Sequence, residues 1–239
     1  MKEYLRVFDP DTQMLVSIRE RDELYREMLA TVSRLERDGK RPLSPFTVEI
    51  VQLLLVNPLG EVYVCQRSPR KRDNPGLYDK TVGGHVIAST LEDDASPSLE
   101  ELATLVERCG EDFDTALIRE TYEELSIDVR LTDEIRFHEI LRETDLSRHA
   151  VVRRVGYNPD FVSRRITEGL PWFLRERMAL YFGVYDGPVT YQGDEVVQHV
   201  TLSRSELDFF LRHEPEILTS DIRQIMLDYS PQIQAFTLK

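Results

Sequence analysis

Apolar residues recur along the chain in two rhythms, one of period two and one of three to four, and these set the expected elements. Near the start, Leu5 to Phe8 and Met14 to Ile18 flank Asp9-Pro10-Asp11, a turn-forming cluster whose proline presets its own φ, so a hairpin is expected. From Glu20 to about Glu36 the apolar positions Leu24, Met28, Leu29, Val32 and Leu35 repeat at helical spacing, with Gly39 and Pro42 ending the helix. The run Ile50 to Val56 is too apolar for an exposed edge and suits a central strand. Asn57-Pro58-Leu59-Gly60 is a turn, and Glu61 to Arg67 alternates, with Val62, Val64 and Gln66 on one side and Tyr63, Cys65 and Arg67 on the other.

A loop follows from Ser68 to Tyr78, then a short strand ending at Val82-Gly83-Gly84-His85-Val86. The acidic stretch Leu91-Glu92-Asp93-Asp94 reads as loop. A helix is expected from about Ser98 to Cys109, with Ser98 and Glu101 as a capping box, Leu99, Leu102, Leu105 or Val106, and Cys109 as its stripe, and Gly110 at its end. A second helix spans about Asp112 to Leu125. Strands are expected at His138–Arg142, Ala150–Tyr157, Met178–Tyr185 and Val196–Leu202, and helices at Ser203–Arg212 and Thr219–Tyr229. The basic region Arg142 to Arg177, with Arg153, Arg154, Arg164 and Arg165 around Tyr157 and Trp172, reads as a surface excursion, with a lid over the substrate as the alternative. No internal repeat or low-complexity tract appears. The class is mixed α and β with a largely mixed sheet.

With 239 residues and 41% hydrophobic content, one large domain over residues 1–239 is expected. Forty-three acids against thirty bases give a net charge of -13, which disfavours nucleic acid and anionic membranes as partners. An anionic substrate would need a metal or a local basic patch. Cys65 and Cys109 are too few for a disulfide framework. The first residues lack the apolar core of a signal peptide, and no window approaches the ~20 apolar residues of a membrane span. A soluble, cytoplasmic protein is the expectation.

The chemistry concentrates in Gly110 to Ile127. At about 100° per residue, Glu120, Glu123 and Glu124 fall within about 100° of arc on one helix. Backward, that face continues into Ala116, Leu117 and Phe113, so the acids point toward the fold; the opposite side, Ile118, Thr121, Tyr122 and Leu125, is also partly apolar, and a helix covered on both sides is expected. Clustered carboxylates in such a place resist ionisation unless a cation joins them. Hard divalent cations prefer oxygen ligands, so the expected cofactor is Mg²⁺ or Mn²⁺, with Arg119 orienting a carboxylate.

Glu111, seven intervening residues, then Arg119-Glu120-x-x-Glu123-Glu124-x-x-Ile127 resembles the Nudix box, G-x5-E-x7-R-E-U-x-E-E-x-G-U, where U is a large aliphatic residue. The departures are Thr121 at an aliphatic position, Ser126 in place of glycine, and Leu105 where a glycine should precede Glu111. The last is read as an insertion: Gly84 opens the box, and Ala88 to Cys109 is a helical insertion within it. Leu53 to Val86, with Gln66-Arg67-Ser68, Pro75-Gly76-Leu77-Tyr78 and Gly83-Gly84-His85, resembles the branch of Nudix proteins related to isopentenyl-diphosphate isomerase.

The resemblance implies an α/β/α sandwich with a mixed sheet, an inserted helix, and residues 1–42 as an N-terminal hairpin and helix. It implies metal on Glu120, Glu123 and Glu124 and a small-molecule diphosphate substrate cleaved by water. Arg119, Glu120, Glu124 and Glu195 are the catalytic candidates, Glu195 because Gly193-Asp194-Glu195-Val196 resembles a later acidic strand of the family. Arg67, Lys71, Lys80 and Gly84 are the substrate-binding candidates, and Lys71 falls where the isomerase has a diphosphate-contacting lysine. Two readings stay open beside hydrolysis: the isomerase, which needs a cysteine before a Gly-His pair where this chain has Gly83, and a binding module without catalysis. The N-terminal unit and the insertion are each candidates to cover the site or to form a homodimer contact.

Overall fold

The computed structural model describes residues 1–92 and 97–234. In chain order the elements are β1 (Lys2–Phe8), β2 (Leu15–Glu20), α1 (Arg21–Arg37), β3 (Leu43–Val56), β4 (Val62–Arg67), β5 (Tyr78–Asp79), β6 (Val82–His85) and β7 (Ile87–Leu91). Then follow α2 (Leu99–Cys109), α3 (Phe113–Leu125), β8 (Asp128–Leu131), α4 (Phe137–Glu143), β9 (His149–Thr167), β10 (Leu170–Val184) and β11 (Val196–Leu202). The chain closes with α5 (Arg204–His213), a 3-10 turn at Pro215–Ile217, α6 (Ser220–Asp228) and α7 (Ser230–Gln234). Among the described residues no helix is long and apolar enough to cross a membrane.

One mixed sheet carries the fold, its spine ordered β11-β4-β3-β10-β9-β8. β3 is its centre, as its apolar run requires: it pairs parallel with β10 and antiparallel with β1, β4 and β6. Alternation divides its side chains between two cores. Ile50, Leu54 and Val56 join Val62, Val64 and residues of α4, α5 and α6 on one face, and Val51, Leu53 and Leu55 join Ala116, Leu117 and Leu125 of α3 on the other. A third cluster seats α1, through Leu24, Tyr25, Met28 and Val32, on Leu5, Val7, Val48, Trp172 and Leu174.

The expected hairpin and first helix are present, the turn held by Asp9 Oδ1 accepting from Thr12 N at 2.7 Å. The Asn57 to Gly60 turn is closed by Asn57 N to Glu61 O at 3.0 Å, with Gly60 at φ 81. Helix α2 begins with the expected capping box between Ser98 and Glu101. Its stripe of Leu99, Leu102, Leu105 and Cys109, and Asp93 and Asp94 of the expected acidic loop, lie outside the described side chains. Leu91, expected in that loop, instead ends β7, which pairs with β1.

Three further expectations are corrected. His138–Arg142 is not a strand but part of α4, because Phe137 and Leu141, four apart, bury one helical face against the sheet. The region Arg142 to Arg177 is no surface excursion: most of it is β9 and β10, paired over most of their length, with Trp172 fully buried and its Nε1 donating to Thr167 Oγ1 at 2.8 Å. Register shifts at Glu176/Met178 and Leu180/Tyr181 interrupt the period-two pattern there, and that hid the strands' length. Finally, α3 is covered on one side only, since Ile118 is 43% and Tyr122 59% exposed.

The 88–109 segment leaves and returns at one point. Glu111 N donates to Ile87 O at 3.0 Å, and Ile87 N donates to Glu111 Oε2 at 3.0 Å. Glu111 therefore sits beside the start of β7, two residues past the end of β6.

Candidate active site

Helix α3 is built to hold charge at its C-terminal half. Asp112 caps its start, accepting from Thr115 N at 2.7 Å. Ala116, Leu117, Thr121 and Leu125 are buried and fix its rotation on the sheet. Thr121, in an apolar position, satisfies its hydroxyl by donating to Leu117 O at 2.7 Å. Ser126 ends the helix with φ 54, the left-handed conformation that glycine adopts most easily. With that rotation set, Glu120 and Glu124 turn inward against β6, while Glu123 remains on the rim with its side chain 56% exposed.

Arg119 ties these acids together. Its Nε and Nη2 donate to the two oxygens of Glu111 at 2.6 and 3.0 Å, its Nη1 donates to Glu120 Oε1 at 3.0 Å and Glu123 Oε2 at 2.9 Å, and its Nη2 also reaches His85 O at 3.0 Å. Two glycines make room. A side-chain carbon on Gly84 would stand 1.9 Å from Glu120 Oε1, and one on Gly83 would stand 2.3 Å from Lys80 Cε. Burial, then the neighbouring charge of Glu123 working against Arg119, pushes the Glu120 carboxyl up to about 7. Burial and the charge of Glu120 push Glu124 up to about 8, opposed by Lys80 and the Gly83 N–H.

These side chains line a cleft of about 630 Å³. Arg67, Lys71, Lys80, Gly84, Arg119, Glu120, Glu123, Glu124 and Glu195 all border it, so the fold brings every site residue expected from the sequence into one place. They differ in freedom. Lys80 Nζ lies 3.2 Å from Asp79 and 3.3 Å from Asp221, and Arg67 Nη1 lies 3.1 Å from Asp79. Against the cost of burial, Lys80 and Arg67 hold Asp79 below the usual carboxylate range, and Asp79 and Asp221 hold Lys80 above its own. Arg67 and Lys80 thus form the floor. Lys71 pairs with Glu195, whose side chain is 63% exposed.

Other participants were not among the site residues expected from the sequence. Arg165 joins the floor, its Nη2 at 2.9 Å from Glu176 Oε1 and 3.3 Å from Asp221 Oδ2, and Gln52 Nε2 donates to Asp221 Oδ2 at 3.2 Å. A polar residue amid an apolar strand, as Gln52 is between Val51 and Leu53, is a signal that could have marked it. Tyr25 Oη lies 2.9 Å from His85 Nε2. Burial, then the charges of Arg21, Arg165 and Arg119, pushes the His85 imidazole down to about 3, so the ring is neutral at physiological pH and acts as a strut. Cys65 donates to Lys80 O at 3.1 Å, and burial pushes its thiol up to about 12.

The donor set suits a hard divalent cation: three glutamates, two of them inward-facing and with raised proton affinity that a cation would relieve. In the present arrangement Arg119 holds Glu120 and Glu123, and among the described residues no three acidic, histidine or cysteine side chains converge as a ready-made metal cage.

No protein-family model and no curated protein matches the chain. Solved structures do. DR0079 from Deinococcus radiodurans aligns with a TM-score of 0.54 and 16% identity over 93% of this chain and 96% of its own. A MutT protein from Methanosarcina mazei Go1 aligns at 0.43 and 18% identity, covering 80% of this chain and 94% of that one, and a NUDIX hydrolase from Alicyclobacillus acidocaldarius at 0.37 and 20%, covering 71% and 87%. The likeness is one of fold, a mixed sheet faced by helices, as the box resemblance implies.

Proposed function

We propose that this chain is a Nudix-type pyrophosphohydrolase, dependent on Mg²⁺ or Mn²⁺, that cleaves the diphosphate linkage of a nucleoside-diphosphate or other organic diphosphate. The observation that carries the reading is Arg119 bridging Glu111 to Glu120 and Glu123 beside Gly84, at the wall of a polar cleft. Spacing along one helix brings the acids together, and the glycines of β6 leave the room that Glu120 and Lys80 occupy at the cleft wall.

Glu120, Glu123 and Glu124 would hold the cation, Glu120 and Glu123 exchanging Arg119 for it. When bound, the cation supplies charge neutralisation at the phosphate oxygens and a more acidic water. Water oxygen forms a bond to phosphorus, the bridging P–O bond breaks with its electron pair leaving on the departing phosphate, and the water's proton passes to a carboxylate. Glu120 and Glu124, both raised by burial, are candidates to take that proton. Glu195, tied to Lys71 at the rim, stands where it could instead guide the water. Arg119, still held by Glu111 and His85 O, would remain beside the carboxylates. The isomerase reading gains no support from Cys65, whose thiol is buried, raised and turned to Lys80 O.

The test is product release from a panel of diphosphate compounds with and without Mg²⁺, including isopentenyl diphosphate followed for double-bond migration. Cleavage is expected only with the cation, and Glu124→Gln, checked for folding, is expected to lower kcat by about 10²- to 10⁴-fold. Full metal-dependent turnover in Glu124→Gln and Glu123→Gln would overturn the proposal.

A further inference from the structure

The cations of the cleft differ in what holds them, and Lys71, tied to the exposed Glu195 at the rim, already counts among the expected substrate contacts. Lys80, Arg67 and Arg165 are tied to buried Asp79, Asp221 and Glu176, and Arg119 to Glu120, Glu123 and Glu111. Arg21 and Arg72 are different. Both side chains are 43% exposed and both border the cleft. Arg21 pairs with the half-buried Glu3 and lies 3.7 Å from the exposed Asp22, while Arg72 lies 3.8 Å from Asp73, a largely buried carboxylate whose Oδ1 also accepts from Thr167 Oγ1, so that Arg72 is not its sole partner.

Tyr25 organises the pair. Arg21 precedes it by one turn of α1, on the same face, and the Arg72 guanidinium stands 5.1 Å from the centre of its ring. The Tyr25 hydroxyl meets His85 Nε2 at 2.9 Å, and His85 O takes Arg119 Nη2 at 3.0 Å. This wall, contributed by the N-terminal hairpin and helix and the loop after β4, is thereby braced against the carboxylate helix. The charge of Glu3 is felt at Glu120, and that of Arg21 at His85, so the wall lies within electrostatic reach of the acids.

A diphosphate carries negative charge on both phosphates, and a divalent cation already balanced by glutamates would not neutralise all of it. The remainder calls for positive groups that are not already tied to the floor. We propose that Arg21 and Arg72 form an anion subsite that receives the phosphate group of the substrate not held at the glutamates, displacing Glu3 and Asp73 from the two guanidiniums. The assignment rests on the diphosphate-hydrolase reading and places part of substrate recognition in the N-terminal unit.

The experiment uses the full chain with Arg21→Gln, Arg72→Gln, the double variant, and Arg70→Gln as control, since Arg70 is 86% exposed and does not border the cleft. Two readouts are taken: KM and kcat on the best diphosphate substrate, and binding of methylenediphosphonate by calorimetry with Mg²⁺. Each single variant is expected to raise KM and weaken methylenediphosphonate binding about tenfold, the loss of one charge-assisted hydrogen bond, with kcat changed less than about threefold. The double variant should weaken binding further and flatten its dependence on salt, while Arg70→Gln changes neither. Diphosphonate binding that weakens in the variants of a protein that cleaves nothing would keep the subsite and remove the hydrolase. Metal-dependent cleavage with KM and diphosphonate affinity unchanged in the double variant would overturn the subsite and leave the hydrolase standing.

Discussion

Ser126 closes the carboxylate helix in the left-handed region, at φ 54, where a side chain clashes mildly with its own backbone and glycine does not. Ser126→Gly is therefore expected to raise the unfolding free energy by about 0.5–1 kcal/mol, less the extra entropy glycine gives the unfolded chain, without altering the site; urea denaturation measures it, and a clear loss of stability would contradict the strain. At this scale the sequence was informative about identity and silent about environment. Spacing alone put Glu120, Glu123 and Glu124 on one arc. It could not say that Gly84 leaves the space Glu120 occupies, or that Thr121 pays its own polar debt by bonding Leu117 O. Nor could it separate Arg67 and Lys80, locked into the floor, from Lys71 on the rim, because their partners Asp79 and Asp221 are distant in sequence from one another.

At the scale of elements, α3 depends on its first turn for register. Asp112 accepts from Thr115 N at 2.7 Å, and this bond holds Asp112 below the usual carboxylate range. Asp112→Ala is expected to cost about 1 kcal/mol. Thermal or urea unfolding would show it, and no loss would mean that the packing of Ala116 and Leu117 alone fixes the helix. The elements with a clean period were legible: the hairpin, α1, the buried run of β3, α3 and β11. Those with mixed signals were not. The strand expected over Ala150–Tyr157 runs on to Thr167, a continuation hidden because register shifts break its alternation, and α4 is too short for its period to outweigh the β-forming Ile140. The pairing of β1 with β7, which joins the N-terminal unit to the inserted segment, connects stretches no local pattern relates.

For the whole molecule, the cleft couples stability to pH and to metal. In the metal-free protein Glu120 and Glu124 are raised to about 7 and 8, so between an unfolded value of about 4.5 and those values the folded state keeps protons that the unfolded state has released, and stability falls as pH rises. His85, lowered to about 3, acts oppositely: the unfolded ring gains a proton below about pH 6.5, so its contribution is lost as pH falls from there. Of these groups only the glutamates act between about pH 6.5 and 8. The metal-free Tm is expected to decline across that window, and the rise on adding Mg²⁺ to grow across it, since the cation binds the ionised carboxylates; scanning calorimetry with and without Mg²⁺ tests both, and a cation effect independent of pH would count against the glutamates as ligands. The sequence by itself determined the class of fold, the mixed sheet's central strand and the helix that carries the acids, because these follow from short-range periodicity and from side-chain identity. Only the tertiary structure decided which cations are locked to buried acids and which stand at the rim, and that the N-terminal helix walls the cleft. Those properties depend on groups far apart in the chain meeting in a place shielded from water, where each charge takes its meaning from its neighbours.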